Sequence, residues 1–334
     1  MTTSAPIIFD SLSKSFGTKR AVDNLSFTVQ PGRVTGFLGP NGSGKTTTLR
    51  MLLGLTRPTS GTARIGSKHY TELADPLTVV GAALEASSFH PGRTARDHLR
   101  AYAPLAGASN KRVDELLELV DLKEAKNQRV GGYSLGMRQR LALATALLGN
   151  PRYLILDEPA NGLDPMGIRW LRDFLRQLAA DGVTVLVSSH ILSEVQQSVD
   201  DVIIIANGQL RYANPISELH TAARPKTRVV TPNGDAFAQL ARTNHWVFEY
   251  ANGAFDVSDL RTAAVGTAAF SSGIELHELS DRTESLEDFF FRLTSPLPAA
   301  PPVGAPVVPA DLAPPSGDPS AENTPAQDNG GTQR

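Results

Sequence analysis

The sequence predicts an α/β fold built on parallel strands, and three observations carry that expectation. Strand-like and helix-like segments alternate from about residue 5 to 222. Two of the strand-like runs, YLILD and VTVLVSSH, are apolar on both faces, the pattern of parallel strands buried between layers. A glycine-rich loop, GPNGSGKTT at residues 39–47, joins a strand-like GRVTGFL to a helix-like TTLRMLLGL.

Taken in order, the strand candidates are PIIFDSL, NLSFTV, RVTGFL, TARIGS, YLILD, TVLVSS and DVIIIA. Residues 94 to 125 break the alternation. They include DELLELVDL, with Leu116, Leu117 and Leu119 at helical spacing, and read as helices inserted into the core. The expected first domain spans residues 5–222, with a helical subdomain over about 86–150. A second, small α+β domain is expected over 225–294. There KTRVVT, HWVFEY, AFDVSD and IELHELS read as strands, and DAFAQLAR and LRTAAVGTAAF as helices. The order β-α-β-β-α-β is that of a split-βαβ unit. Asn252-Gly253 marks a hairpin turn inside it, and SLEDFFFRL closes it as a helix. From residue 295 to 334 the chain holds ten of its 23 prolines. Such a segment buries too little apolar area to offset its ordering entropy and reads as a disordered tail.

Bulk composition narrows the function classes. A net charge of −2 supplies no global basic field for nucleic acid. With no cysteine, disulfides and thiolate metal sites are excluded. The N-terminus lacks the apolar core of a secretory signal. No run of about 18 apolar residues is present, so no membrane-spanning helix is expected.

The loop at 39–47 fits the phosphate-gripping pattern G-x-x-x-x-G-K-[ST]. Gly39, Pro40, Asn41, Gly42, Ser43 and Gly44 form its turn, where glycine permits tight curling. Inward N–H groups and a helix N-terminus then face an anion. Lys45 adds a full charge for the outer phosphates, Thr46 a hydroxyl for Mg²⁺, and Thr47 continues the helix start. Downstream, YLILDEP ends an apolar strand in Asp157 and Glu158, at the strand edge where open α/β sheets place ligands. Asp157 is positioned for the Mg²⁺ shell and Glu158 to polarise a water against the γ-phosphate.

Between these motifs lies GGYSLGMRQRLALATALL, and after them ANGLDP and SSH. In that order the motifs resemble the ATP-binding cassette family of transport ATPases, over about residues 5–222. The resemblance implies ATP and Mg²⁺ as ligands and a head-to-tail homodimer. In such a dimer each ATP lies between the glycine-rich loop of one cassette and the signature loop of the other. Tyr133-Ser134-Leu135-Gly136-Met137 stands where the family often has LSGGQ. The Ser134 hydroxyl and the Gly136 N–H would then contact the γ-phosphate held by the second copy. By the same resemblance His190 is the switch histidine holding Glu158 and water in line. Asp164 would sit in the D-loop, Phe16 would stack on adenine, and Val22 would flank the base. Two departures stand out. Leu135 and Met137 replace the first signature glycine and the glutamine. Glu85 occupies the Q-loop position, where the family's glutamine senses Mg²⁺ and the membrane partner.

YSLGM, Glu85 and the ending SLEDFFFRLT are similar to exporters of drugs and peptide antibiotics. That implies a separate permease, with residues 87–98 near its coupling helix, and a place at the cytoplasmic face of the cell membrane. Non-transport cassettes acting on DNA or ribosomes are the other reading. The 89 residues from Lys45 to Ser134 hold no coiled-coil arm, and the chain has one cassette. A small-molecule kinase would lack the signature loop and the switch histidine.

Overall fold

A computed structural model of the chain describes residues 5–84, 89–192, 196–222, 225–283 and 286–295. Its centre is a six-stranded sheet in the order β5-β6-β7-β3-β8-β9. These strands are β3 Val34–Leu38, β5 Val80–Ala83, β6 Tyr153–Leu156, β7 Thr184–Ser189, β8 Asp201–Ala206 and β9 Gln209–Pro215. All pair in parallel except β9, which returns antiparallel to β8. A second sheet of β1 Ile7–Phe16, β2 Lys19–Val29 and β4 Ser60–Ile65 is antiparallel, in the order β2-β1-β4.

The doubly apolar runs have a direct cause. On β8, Val202 and Ile204 enter one core while Ile203 and Ile205 enter another. On β6, Leu154 and Leu156 divide from Tyr153 and Ile155 in the same way. One core lies between the two sheets and contains the stacked rings of Phe9 and Phe27, with Phe37 beside them. The other carries most of the helical layer, while the helix after the glycine-rich loop buries Leu49, Met51 and Leu52 between the sheets. Helix α1 (Lys45–Leu52) follows the glycine-rich loop, and a single turn, α2 (Pro76–Val79), precedes β5. Then come α3 (Ala95–Tyr102), α4 (Asn110–Leu119) and α5 (Leu135–Ala146). Each of these three starts on a hydroxyl cap, Thr94, Ser109 and Ser134, which accepts a backbone N–H three residues on. Leu99, Val113, Leu116, Leu117 and Leu141 are wholly buried in that core. Helix α6 (Pro165–Ala180) covers the same face through Leu171 and Leu175.

After a short helix, α7 (Ile216–Ala222), a second sheet unit begins. It runs β10 (Pro225–Val230), α8 (Gly234–Thr243), β11 (Phe248–Ala251), β12 (Ala254–Ser258), α9 (Thr262–Ser271) and β13 (Glu278–Thr283). The sheet order β11-β12-β10-β13, antiparallel throughout, places the first strand between the third and the fourth. Val229, Phe237, Phe255, Val257 and Val265 form its core. Asn252 and Gly253 both have left-handed φ, 52° and 76°, as a tight hairpin turn requires. The last helix, α10 (Leu286–Thr294), expected to close the small unit, instead packs Phe289 and Phe290 into the helical-layer core beside β8 and not into the core of the small sheet. Residues 296–334, the expected tail, lie outside the described residues, as does Glu85.

Two strands escape the sequence reading. β5 has only four residues, too few for a period. β9 alternates polar with half-buried positions and ends at Pro215, as an edge strand can. The turn before it, Asn207-Gly208, has left-handed φ at both residues and was the available signal.

Candidate nucleotide site

Register brings the predicted residues together. Leu156 of β6 lies level with Val187 of β7, so Asp157 falls beside Ser188. Leu38 of β3 lies level with Ser189, so Gly39 falls beside His190. The carboxyl ends of three adjacent parallel strands thus present one cluster, at the edge where such sheets hold ligands.

The loop from Gly39 to Gly44 is closely supported. A Cβ on Gly39 would stand 2.4 Å from the Ile205 carbonyl oxygen and 2.6 Å from Ser43 Oγ. Gly44 has φ 107°, and a Cβ there would stand 2.5 Å from the Ala21 carbonyl oxygen. Only glycine fits either place. Asn41 and Gly42 are exposed at the tip, with Pro40 half-buried before them. Ser43 is buried, and its hydroxyl has no protein partner. A buried hydroxyl without a partner is costly, so a ligand that completes it is favoured. Helix α1 starts at Lys45, with Thr46 and Thr47 half-buried behind it.

Lys45 is buried, and its Nζ donates to the Gly39 carbonyl at 2.7 Å and the Pro40 carbonyl at 3.3 Å. It also stands 3.3 Å from Glu158 Oε1. Thr46 Oγ1 donates to Asp157 Oδ2 at 2.6 Å, and Ser188 Oγ donates to Asp157 Oδ1. The Glu158 N–H donates to Ser188 Oγ at 2.9 Å. Glu158 Oε2 receives the Asn161 amide at 2.6 Å and meets His190 Nδ1 at 2.9 Å. Burial pushes the Glu158 carboxyl up. The Asn161 hydrogen bond and the charges of Lys45 and His190 outweigh that and hold it below the usual range. Its backbone is left-handed, φ 48°, a conformation costing on the order of 1–3 kcal/mol for a side-chain-bearing residue. Strain of this kind at a turn that aims a carboxylate motivates a functional assignment.

The donor set fits a small hard cation beside phosphate. Thr46 and Asp157 offer one hydroxyl and one carboxylate that already converge. Among the described residues no group of three or more His, Cys, Asp or Glu could hold a metal alone. Mg²⁺ is commonly held by one or two protein ligands, with phosphates and water completing the shell.

The remaining predicted residues lie elsewhere. Phe16, half-exposed at the β1–β2 hairpin, has the Lys14 ammonium 4.9 Å from its ring centroid. Val22 is fully buried, its Cγ2 3.2 Å from the Cβ position of Gly44, so it backs the loop rather than facing solvent. Ser134, Gly136 and Asp164 line a separate cavity with Met137 and Gly162. Ser134 caps α5, and Asp164 caps α6 by accepting the Gly167 N–H at 2.7 Å. Two residues escaped sequence reasoning. In the sequence Ser188 stands out only as part of SSH, and Asn161 only within ANGLDP. Each sits one register step or one turn from a predicted carboxylate.

A family model for ABC transporters matches residues 22–161. The chain is 38% identical to the bacitracin transport ATP-binding protein BcrA of Bacillus licheniformis, over 84% of this chain and 95% of that one. The chain belongs to the ABC transporter ATP-binding family. It is an ATP-binding, ATP-hydrolysing subunit of that transporter family. Its similarity to the Enterococcus faecalis protein of the same name is 35% over 85% of this chain and 94% of that one. It is also 35% identical to the lantibiotic transport ATP-binding protein SrtF of Streptococcus pyogenes, over 60% and 86%. Among solved structures, the ATP-binding subunit of an ABC transporter aligns with a TM-score of 0.59 at 26% identity, covering 65% of this chain and 92% of that one. A dimeric bacterial ABC transporter cassette aligns at 0.58 and 24%, covering 63% and 98%, and shares the fold. A model for a domain of unknown function matches residues 225–287.

Proposed function

We propose that two copies of this cassette close head to tail on two ATP molecules and drive a separate membrane permease, exporting a peptide antibiotic or similar amphipathic compound. One observation carries the dimer: Lys45, Glu158 and His190 meet in one cluster, while Ser134 and Gly136 line a different cavity. A single chain therefore holds two half-sites. The substrate class follows from the bacitracin and lantibiotic transporters among its relatives. No helix among the described residues is long and apolar enough to cross a membrane, in keeping with a peripheral place at the cytoplasmic face through the permease. An apolar groove of about 580 Å³, lined by Leu53, Leu55, Leu84, Phe89 and Tyr102, supports docking of that partner.

In this reading the loop N–H groups receive the phosphates, and Lys45 leaves the Gly39 and Pro40 carbonyls to reach them. Thr46 and Asp157 would hold Mg²⁺, which supplies charge neutralisation between the outer phosphates when bound. Glu158, ionised, takes the proton of the attacking water, and His190 and Asn161 orient its Oε2. Water attacks the γ-phosphorus as the bond to the ADP oxygen breaks. Phe16 stacks on adenine, and Ser134 with the Gly136 N–H closes the site from the second copy. The test is purification of Glu158→Gln from detergent-solubilised membranes with ATP and Mg²⁺. A dimer carrying a polytopic membrane protein is expected. Recovery as monomer alone, or with ribosomal or DNA-associated proteins, sinks the proposal.

A further inference from the structure

We propose that Asn161 is a positioning residue for Glu158, and that Leu135, seated on Gly162, couples Asn161 to the signature loop. The proposal rests on Glu158 acting as the base. It begins with the departure noted in the sequence, a leucine where the family's signature often has its first glycine. A Cβ on Gly162 would stand 2.0 Å from Leu135 Cδ2 and 2.8 Å from its Cγ. The leucine occupies the space that any other residue at 162 would need. Gly162 also has a left-handed φ of 75°. The packing is reciprocal: Leu163 Cδ2 lies 3.3 Å from where a Gly136 Cβ would stand. A leucine of each loop rests on a glycine of the other.

From this contact the chain leads directly to the catalytic carboxylate. Gln139, in the second turn of α5, donates to the Asn161 carbonyl at 3.4 Å. The Asn161 N–H donates to the Glu158 carbonyl at 3.2 Å, and its side-chain amide to Glu158 Oε2 at 2.6 Å. Asn161 is exposed, so its place is set by these partners rather than by burial. A signature loop drawn toward the ATP of the second copy carries Leu135 with it. Gly162 is in contact and follows, and Asn161 is its chain neighbour. The bulky residue at 135 therefore makes the signature loop of each cassette a determinant of its own Glu158 geometry.

The test is steady-state ATP hydrolysis by the full chain carrying Asn161→Ala, Leu135→Ala, or both. Asn161→Ala should lower kcat by about five- to tenfold while KM for ATP stays within about twofold, the mark of an interaction used in the transition state. Leu135→Ala should lower kcat by about threefold or more, and adding it to Asn161→Ala should cost nothing further, since both act through one contact. Leu135→Met, close in volume, should recover most of the Leu135→Ala loss. Melting temperature and ADP affinity should hold in every variant. Losses that multiply, a KM that rises in parallel, or a wild-type rate in either single variant would overturn the coupling. Glu158→Gln separates the two readings. If it hydrolyses ATP at the wild-type rate, the base assignment is wrong. If it is inactive while the other losses multiply, only the coupling fails.

Discussion

Replacing Ser188 with alanine removes one oxygen that serves two motifs. That hydroxyl donates to Asp157 and accepts the backbone N–H of Glu158, and the side chain is wholly buried. A hydrogen bond to an ionised partner contributes about 1.5–3 kcal/mol, and a buried N–H left without a partner costs about 1–3 kcal/mol more. Relaxation around a methyl-sized change recovers part of this, so a net loss of about 2–4 kcal/mol is expected. The same hydroxyl sets the height of Asp157 and the left-handed turn at Glu158. At about 1.4 kcal/mol per decade of rate, half that energy expressed in the transition state lowers kcat about five- to thirtyfold. Denaturant unfolding should be followed through Trp170 in a Trp246→Phe background. Trp170 packs on α6 against Phe174, whereas Trp246 packs near Phe237, so the single remaining tryptophan reports the surroundings of α6. Hydrolysis is measured on the same samples. An unfolding free energy within about 0.5 kcal/mol of the parent, together with an unchanged kcat, would refute the reasoning that Ser188 joins the two carboxylate positions.

Lys45→Ala should abolish hydrolysis, because it removes a buried ammonium aimed into the loop; wild-type turnover would contradict the phosphate-binding role. His98 sits buried on α3 between the rings of Phe89 and Tyr102. Burial, with the Arg93 charge added, pushes its imidazole down to about 4. The unfolded chain takes up a proton near pH 6.5 that the folded chain refuses, so stability is intact above that pH and falls toward pH 4 by up to about 3 kcal/mol. His98→Phe should flatten the denaturation midpoint across that window, and an unaltered slope would count against a buried neutral imidazole. Deleting residues 296–334 should leave the hydrolysis rate unchanged, since the segment's composition builds no core; a large loss of rate would show that the tail acts on the cassette.

Much of this protein was legible because its decisive chemistry is written in contiguous runs. A phosphate loop must be glycine-rich between a strand and a helix, so GPNGSGKTT declares itself. An apolar strand ending in Asp157 and Glu158 does so for the same reason. The Asn252-Gly253 turn and the β-α-β-β-α-β order were readable in the small domain because turn chemistry and periodicity are local. Position in the motif order, rather than any property of a lone histidine, pointed to His190. What stayed hidden was whatever depends on which strands are neighbours. The place of Ser188 beside Asp157 follows from the register of Leu156 with Val187. β5 and β9 carry too few apolar residues to announce themselves. Leu135 reads in the sequence as a departure from the signature, and only the fold seats it on Gly162.

The amino-acid sequence by itself pointed to a phosphate-gripping loop, to the residues that would supply its charge, and to a second motif that would complete the site. Tertiary structure alone decided that β6, β7 and β3 stand side by side, so that Lys45, Asp157, Glu158 and His190 converge while Ser134 and Gly136 face elsewhere. The physical reason is that local propensity and spacing act within a few residues. Strand pairing is selected by burying two apolar faces at once, and that selection brings together residues more than a hundred positions apart.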